Sequence, residues 1–408
     1  MAPRHVVVVG AGPGGLRTVE QLRKKGYDGA LTVVGDEPHT PYDRPALSKQ
    51  VLLGKADPAA LALRGPDELA ALGADFRLGR RAASLDVPGA RLELEDGDAL
   101  RFDALVLATG CGARRLPLGD GLAGVHYLRS LDDAMAVRAA LGTARRLVVV
   151  GGGFIGCEVT AAARALGLEV TLVEAAAAPL APILGGRVGE LVTQLHVDRG
   201  VTVRSGTGVA GIDGDTRVQS VRLSDGSEVG ADVGVLGVGA QPSTGWLADS
   251  GLTLDDGVLC NRACSAGTAV FAVGDVARWY NPLFDEVMRI EHWTNAAEQA
   301  AVVAGNVLAY LAGGGDAQLA DYAPVPYFWS DQYDTRIQFA GRSRPGDDVH
   351  LLPPAGEGRE QVALYGREGR LVGALAMNSP RSLLRYRQAI GARATWDSTL
   401  AELAAVSA

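Results

Sequence analysis

Residues 5–15 read HVVVVGAGPGG and residues 146–158 read RLVVVGGGFIGCE, and these two stretches decide the fold. Each is a run of apolar β-formers ending in G-x-G-x-x-G, with Gly10, Gly12 and Gly15 in the first and Gly151, Gly153 and Gly156 in the second. In such a motif the first glycine permits a tight strand-to-helix turn. The second lets the backbone approach a pyrophosphate, and the third lets helix and strand pack closely. The phosphates would sit at the positive N-terminal end of the following helix.

A lone G-x-G-x-x-G carries little weight in a chain with 54 glycines among 408 residues, so the surroundings must decide. Each motif precedes a helix-compatible stretch, RTVEQLRKKGY in one case and VTAAARALG in the other. About 20 residues on, each meets a second apolar strand ending in acid: LTVVGDE, with Asp36 and Glu37, and VTLVEA, with Glu174. A carboxylate there accepts hydrogen bonds from ribose hydroxyls and repels a 2′-phosphate. Both stretches therefore read as nucleotide sites within βαβ units.

Length predicts two to three domains, and 47% hydrophobic residues support sizeable cores. A formal net charge of −8 argues against a general nucleic-acid partner, because no broad basic field exists to displace counterions from phosphates. The first strand begins at His5, leaving no room for a signal peptide, and no apolar run reaches the ~18 residues of a membrane span. A cytoplasmic protein with no membrane partner is expected. Cys111, Cys157, Cys260 and Cys264 form no C-x-x-C, and the pair at 260 and 264 lacks the companions a zinc site needs. They read as buried small hydrophobes with no metal role.

The segment 1–112 opens as the first βαβ unit and ends in the strand-like LRFDALVLATG; 113–239 holds the second unit. A further buried-type strand, TAVFAVGDVA, stops at Gly274 and Asp275. This predicts a discontinuous first domain of 1–112 and 240–320. From 321 to 408 the chain turns β-rich and aromatic, predicting a small α+β C-terminal domain. The expected class is α/β, with two Rossmann-like nucleotide-binding domains plus that α+β domain.

Eight stretches in order carry a family resemblance: VVVVGAGPGG, PYDRPALSK, LVLATG, YLRSLDDA, VVVGGGFIGCE, FAVGDVA, RIEHWTNAAEQA and WSDQYDTRIQ. Together they resemble the FAD-dependent, NADH-using ferredoxin reductases that serve bacterial cytochrome P450s and ring-hydroxylating dioxygenases. The resemblance implies a glutathione-reductase-like arrangement and the cofactors FAD and NADH. It implies that Gly10, Gly12, Gly14 and Gly15 cradle the FAD pyrophosphate and that Asp36 or Glu37 holds the adenosine ribose. Arg44 and Lys49 would lie beside the pyrophosphate and isoalloxazine, and Ala82 would offer backbone contact to adenine. Thr109, Gly110 and Arg129 would line the pocket, Asp275 would bind the ribityl hydroxyls, and Trp293 and Trp329 would flank the flavin. NADH would take the second motif, Gly151, Gly153 and Gly156, with Glu158 near the nicotinamide carboxamide and Phe154 as an aromatic gate or as helix packing. Lys49, alone or paired with Glu158, would offset the negative charge of reduced flavin.

After Glu174 the chain reads AAAAPLAP, with no Arg or Lys until Arg187, where the family often places a basic residue. NADH preference is expected. The segment PYDRPALSK has no cysteine, which argues against disulfide, peroxide or coenzyme A disulfide reduction. Rubredoxin reduction, and a redox-sensing protein that binds partners in response to NADH, remain alternatives. Between Gly369 and Trp396 there are five arginines, Arg370, Arg381, Arg385, Arg387 and Arg393, and no acid. Arg381 and Arg385 fall on one helix face, with Leu383 and Ile390 toward the core. An acidic iron-sulfur ferredoxin is the expected partner, docking through Arg381, Arg385 and Arg387.

Overall fold

The valine run of the first motif forms the strand His5–Val9, in which Val6, Val7 and Val8 are fully buried. A continuous rather than alternating apolar run suits a parallel strand covered on both faces. In the computed structural model, which describes residues 4–353 and 360–407, this strand lies inside a six-stranded sheet. The order is Ser265–Gly267, Val270–Ala272, Ala104–Leu107, His5–Val9, Ala30–Gly35, Asp75–Leu78. All neighbours are parallel except the antiparallel edge pair Ser265–Gly267 and Val270–Ala272. The helices Pro13–Lys24 and Trp293–Leu311 pack on each other beside it. The sheet thus draws its strands from widely separated parts of the chain.

The second motif repeats the construction. Arg146–Val150 sits at the centre of a five-stranded parallel sheet, ordered Thr202–Ser205, Glu169–Glu174, Arg146–Val150, Val233–Leu236, Val125–His126. The C-terminal segment adds a five-stranded antiparallel sheet, ordered Tyr327–Gln332, Thr335–Gly341, Arg370–Met377, Gln361–Arg367, Asp348–Leu351. The helix Pro380–Gly391 packs on this sheet, burying Leu383, Tyr386 and Ile390 as the helical spacing anticipates.

The chain divides into two compact units. One comprises Met1–Asp43, Leu61–Gly112 and Gln241–Pro326; the other comprises Arg44–Ala60, Ala113–Ala240 and Tyr327–Ala408. These boundaries differ from those drawn on sequence in two places. Arg44–Ala60 belongs with the second unit, because its π-helical turn Leu47–Val51 packs on the helices Phe154–Ala165 and Leu131–Leu141. The C-terminal sheet joins that unit too, through contacts such as the Tyr365 hydroxyl donating to the Leu184 carbonyl at 2.7 Å. Among the described residues no helix is long and apolar enough to cross a membrane.

A buried histidine fastens the tip of the C-terminal hairpin. His196, in the helix Gly186–Val197, is fully buried and its Nδ1 lies 2.9 Å from the Tyr333 hydroxyl. Tyr333 turns the hairpin in the left-handed region, with φ of 57°. Arg199 sits over the Tyr333 ring and pairs with Asp334 at 2.5 Å. Burial pushes the His196 imidazole down to about 4 from its ordinary 6.5. The unfolded chain therefore binds a proton that the folded chain refuses, so stability is lost as pH falls from about 6.5 to about 4. We expect up to about 3 kcal/mol of acid destabilisation from this group. Melting temperatures of wild type and His196→Phe across pH 7 to 4.5 check it; parallel curves would contradict it.

Candidate functional site

The two glycine turns contain two kinds of glycine. At Gly10, with φ of 115°, a Cβ would lie 2.1 Å from the Ala108 carbonyl oxygen, and at Gly15 it would lie 1.9 Å from that of Gly10. At Gly151, with φ of 99°, it would lie 2.3 Å from the Gly237 oxygen, and at Gly156 it would lie 1.9 Å from that of Gly151. Backbone packing demands these four. Gly12 and Gly153 are different: their φ values are ordinary, and a Cβ would meet nothing within 4 Å. Both are helix N-caps without a side-chain cap bond. Open space beside uncapped helix N–H groups suits a bound pyrophosphate. Gly14 is tight instead, its Cβ position lying 3.2 Å from Val273.

The acids at the ends of the second strands occupy different registers. Val9 pairs with Val34 and Val150 with Val173, so Gly35 and Glu174 are equivalent positions. Glu174 accepts from the Gly152 N–H at 2.5 Å and the Ala176 N–H at 2.7 Å. It therefore pins the glycine turn, and each oxygen keeps a lone pair for a ribose hydroxyl. In the first unit the equivalent position is Gly35, where a Cβ would lie 2.6 Å from the Ala11 methyl. The acids come next: Asp36 is exposed, 3.9 Å from Arg81, whereas Glu37 accepts from the Tyr42 hydroxyl at 2.6 Å. Glu37 is thus the more firmly held of the two.

In the first unit, Ala82 is buried in the strand Ala82–Asp86, next to Arg81. Thr109 donates to the Ser243 carbonyl at 3.2 Å, and Gly110 accepts from the Ser243 N–H at 3.0 Å. The Asp275 carbonyl accepts from Arg289 at 3.3 Å. Trp293 opens the helix Trp293–Leu311 and is half-buried. Gln299, which sequence reading passed over, is fully buried on this helix and accepts from the Gly274 N–H at 2.7 Å. It holds the turn that presents Asp275.

In the second unit the helix Phe154–Ala165 carries Glu158, only 5% exposed, four residues after Phe154. The Glu158 Oε2 accepts from the Lys49 ammonium at 2.9 Å and from the Ser48 hydroxyl. Its Oε1 accepts from the Ser330 hydroxyl at 2.7 Å. The wide π-helical turn presents the consecutive residues Ser48 and Lys49 to one oxygen. Alternation along the strand Tyr327–Gln332 buries Phe328, Ser330 and Gln332 on one face. Phe154 packs on Phe328 with ring centroids 4.4 Å apart. Trp329 takes the other face, stacked on Tyr327, with Arg336 over its ring at 5.8 Å. Arg44 and Arg129 are brought together, the Arg44 guanidinium donating to the Arg129 carbonyl at 3.0 Å.

The four cysteines are free and buried. Burial pushes the Cys264 thiol up to about 12 and raises those of Cys157 and Cys260 above the ordinary range. Such thiols do not supply the thiolate that disulfide exchange requires.

Two glycine-lined turns on two parallel sheets, with a buried lysine–carboxylate pair at the second, define an α/β oxidoreductase built for two dinucleotides. Residues 4–300 match the family model described as pyridine nucleotide-disulphide oxidoreductase, and residues 327–406 match the reductase C-terminal model. The chain belongs to the pyridine nucleotide-disulphide oxidoreductase family, whose cofactors are FAD and NAD(H). It is 38% identical to the ferredoxin reductase component of chlorobenzene dioxygenase from Cupriavidus sp. strain PS12, over 96% of this chain and 93% of that one. It is 37% identical to putidaredoxin reductase from Pseudomonas putida, over 85% of this chain and 82% of that one. Among solved structures, the covalent putidaredoxin reductase–putidaredoxin complex superposes with a TM-score of 0.90 at 34% identity, covering 96% of this chain and 94% of that chain.

Two outcomes follow from the geometry. Gly12→Ala keeps the secondary structure and melting cooperativity but weakens FAD retention, whereas Gly15→Ala costs the fold itself; circular dichroism and flavin content separate them. Lys49→Met leaves a buried carboxylate with hydroxyl donors and no countercharge, at a cost of about 3 kcal/mol, or roughly 5 °C in melting temperature. The double variant Lys49→Met with Glu158→Gln recovers most of that loss.

Proposed function

We propose that this chain passes electrons from NADH through FAD to a two-iron, two-sulfur ferredoxin that supplies a cytochrome P450 or a ring-hydroxylating dioxygenase in the cytoplasm. When bound, FAD takes a hydride from NADH, two electrons and a proton together, and releases the electrons singly to one-electron acceptors. The observation that carries this reading is the buried Lys49–Glu158 pair beside the second glycine turn, in a chain whose four cysteines are free and buried. Near full-length similarity to ferredoxin reductase components supports it.

The remaining roles in this proposal are those the family resemblance implies. The first turn, through Gly10, Gly12, Gly14 and Gly15, holds the FAD pyrophosphate, with Glu37 or Asp36 on its ribose and Ala82 toward adenine. In the first unit Thr109, Gly110, Asp275 and Trp293 are assigned to FAD, and in the second Arg44, Arg129 and Trp329 keep the FAD-binding role that the family resemblance implies. The second turn holds NADH, with Phe154 beside it and Glu174 on its ribose. Glu158 meets the nicotinamide carboxamide, and Lys49 balances added negative charge. A 2′-phosphate would meet the Glu174 carboxylate with no nearby cation in AAAAPLAP. We expect kcat/KM for NADH to exceed that for NADPH by about 100-fold, the equivalent of two charged hydrogen bonds lost; equal values would remove Glu174 from this role.

Docking of an acidic ferredoxin is assigned to the helix Pro380–Gly391. Arg381 is exposed and Leu384 beside it is 60% exposed, an apolar contact within a basic rim. Arg385 is exposed but pairs with Glu402 at 2.7 Å, and Arg387 lies over the Tyr327 ring at 5.4 Å. Arg381 therefore carries more of the available charge than the bare count of arginines suggests. Turnover of NADH with cytochrome c, with and without a two-iron, two-sulfur ferredoxin, tests the function. Stimulation by ferredoxin that fades with salt is expected, and its absence despite fast flavin reduction would overturn the proposal. Arg381→Glu with Arg385→Glu should lower ferredoxin-dependent kcat/KM about tenfold at low salt, leaving ferricyanide reduction unchanged.

A further inference from the structure

Beyond Glu158 the second unit holds two hydrogen-bonded runs of buried polar side chains, one from Glu158 to Gln332 and one from His196 to Tyr333. Ser330 and Gln332 are fully buried, as is His196. The Ser330 hydroxyl donates to Glu158 Oε1 at 2.7 Å, and Gln332 Nε2 donates to the Ser330 oxygen at 3.2 Å. Gln332 Oε1 and His196 Nε2 are both buried, and no hydrogen bond joins either to a partner among the described residues; Gln332 is the polar neighbour that opposes the effect of burial on the imidazole. The other imidazole nitrogen faces the Tyr333 hydroxyl at 2.9 Å.

Proton positions along this line follow one from another. An ionised carboxylate only accepts, so the Ser330 hydrogen must point at Glu158. The serine lone pair then receives the amide N–H of Gln332, which leaves the amide oxygen as the open end, with the His196 imidazole as its polar neighbour. That oxygen needs a donor, so His196 carries its hydrogen on Nε2, and Nδ1 accepts from Tyr333. The imidazole stays neutral at physiological pH, as a one-hydrogen link requires. Every donor points the same way, and hydrogen bonds so aligned polarise one another.

We propose that Tyr333, His196, Gln332 and Ser330 form a one-directional hydrogen-bond chain that fixes the Glu158 carboxylate, and that Ser330 and Gln332 are positioning residues for NADH oxidation. The inference rests on the reading of Glu158 as the carboxylate beside the nicotinamide. Ser48 and Lys49 occupy Oε2, so Oε1 is the oxygen with a lone pair left for the carboxamide, and Ser330 sets its direction. A rotated carboxylate would still let the nucleotide bind through its phosphates and ribose, but would present the ring poorly. The effect belongs in the rate of hydride transfer more than in affinity.

Stopped-flow reduction of the FAD-loaded enzyme by NADH tests the chain. Ser330→Ala should slow the limiting rate about tenfold, the scale of one hydrogen bond to a charged group, with a smaller change in the NADH dissociation constant. Gln332→Met should slow it less and add nothing in the Ser330→Ala background. Independent multiplicative effects, or a Ser330→Ala rate equal to wild type while Glu158→Gln is slowed, would overturn the chain. A Glu158→Gln enzyme that reduces normally would instead overturn the reading of Glu158. Nitrogen NMR of the histidine-labelled holoenzyme needs no variant to fold: His196 should be the neutral Nε2–H tautomer at pH 7, and the Nδ1–H tautomer would refute the assigned direction.

Discussion

A carboxylate buried to within 5% of full exclusion from water must be answered by donors, and much of the second unit converges on answering Glu158. Its partners come from two stretches far from the helix that carries it: the π-helical turn at Leu47–Val51 and the strand Tyr327–Gln332. Replacing the cluster with apolar side chains would relieve the desolvation cost. Its persistence in a buried position beside the second glycine turn fits a chemical task for the charge.

The parts of this design that were legible in sequence are those fixed by local backbone sterics. A Cβ at Gly15 or Gly156 would strike a carbonyl five residues earlier, so the glycine pattern reports the turn without knowledge of anything distant. The valine runs likewise declare buried parallel strands, and the spacing of Leu383 and Ile390 declares the core face of their helix. The α/β class with two nucleotide units followed from these signals.

Other features depend on approach between distant residues, which composition does not encode. Ser330 meets Glu158 across 172 positions and gives no signal as a lone serine. The neighbouring tryptophan draws the eye instead, yet strand alternation turns Trp329 to the opposite face. Gln299 is equally silent, one polar residue in an alanine-rich helix. Arg385 looked unopposed because its acid, Glu402, lies just beyond the basic stretch. Arg44–Ala60 follows the first motif in sequence yet packs with the second, since chain proximity does not dictate which core a turn joins.

The two glycine turns solve one steric problem in opposite ways. In the first, Ala11 keeps its methyl because position 35 is bare; in the second, Glu174 keeps its carboxylate because position 152 is bare. Neither solution is reachable from the other by one step, since a side chain at 35 meets Ala11 and a methyl at 152 meets Glu174. The pair is therefore epistatic: a side chain at both positions clashes, and the route between the two solutions runs through glycine at both. The order of change is thereby constrained: the methyl must leave the turn before an acid can enter the strand end that faces it.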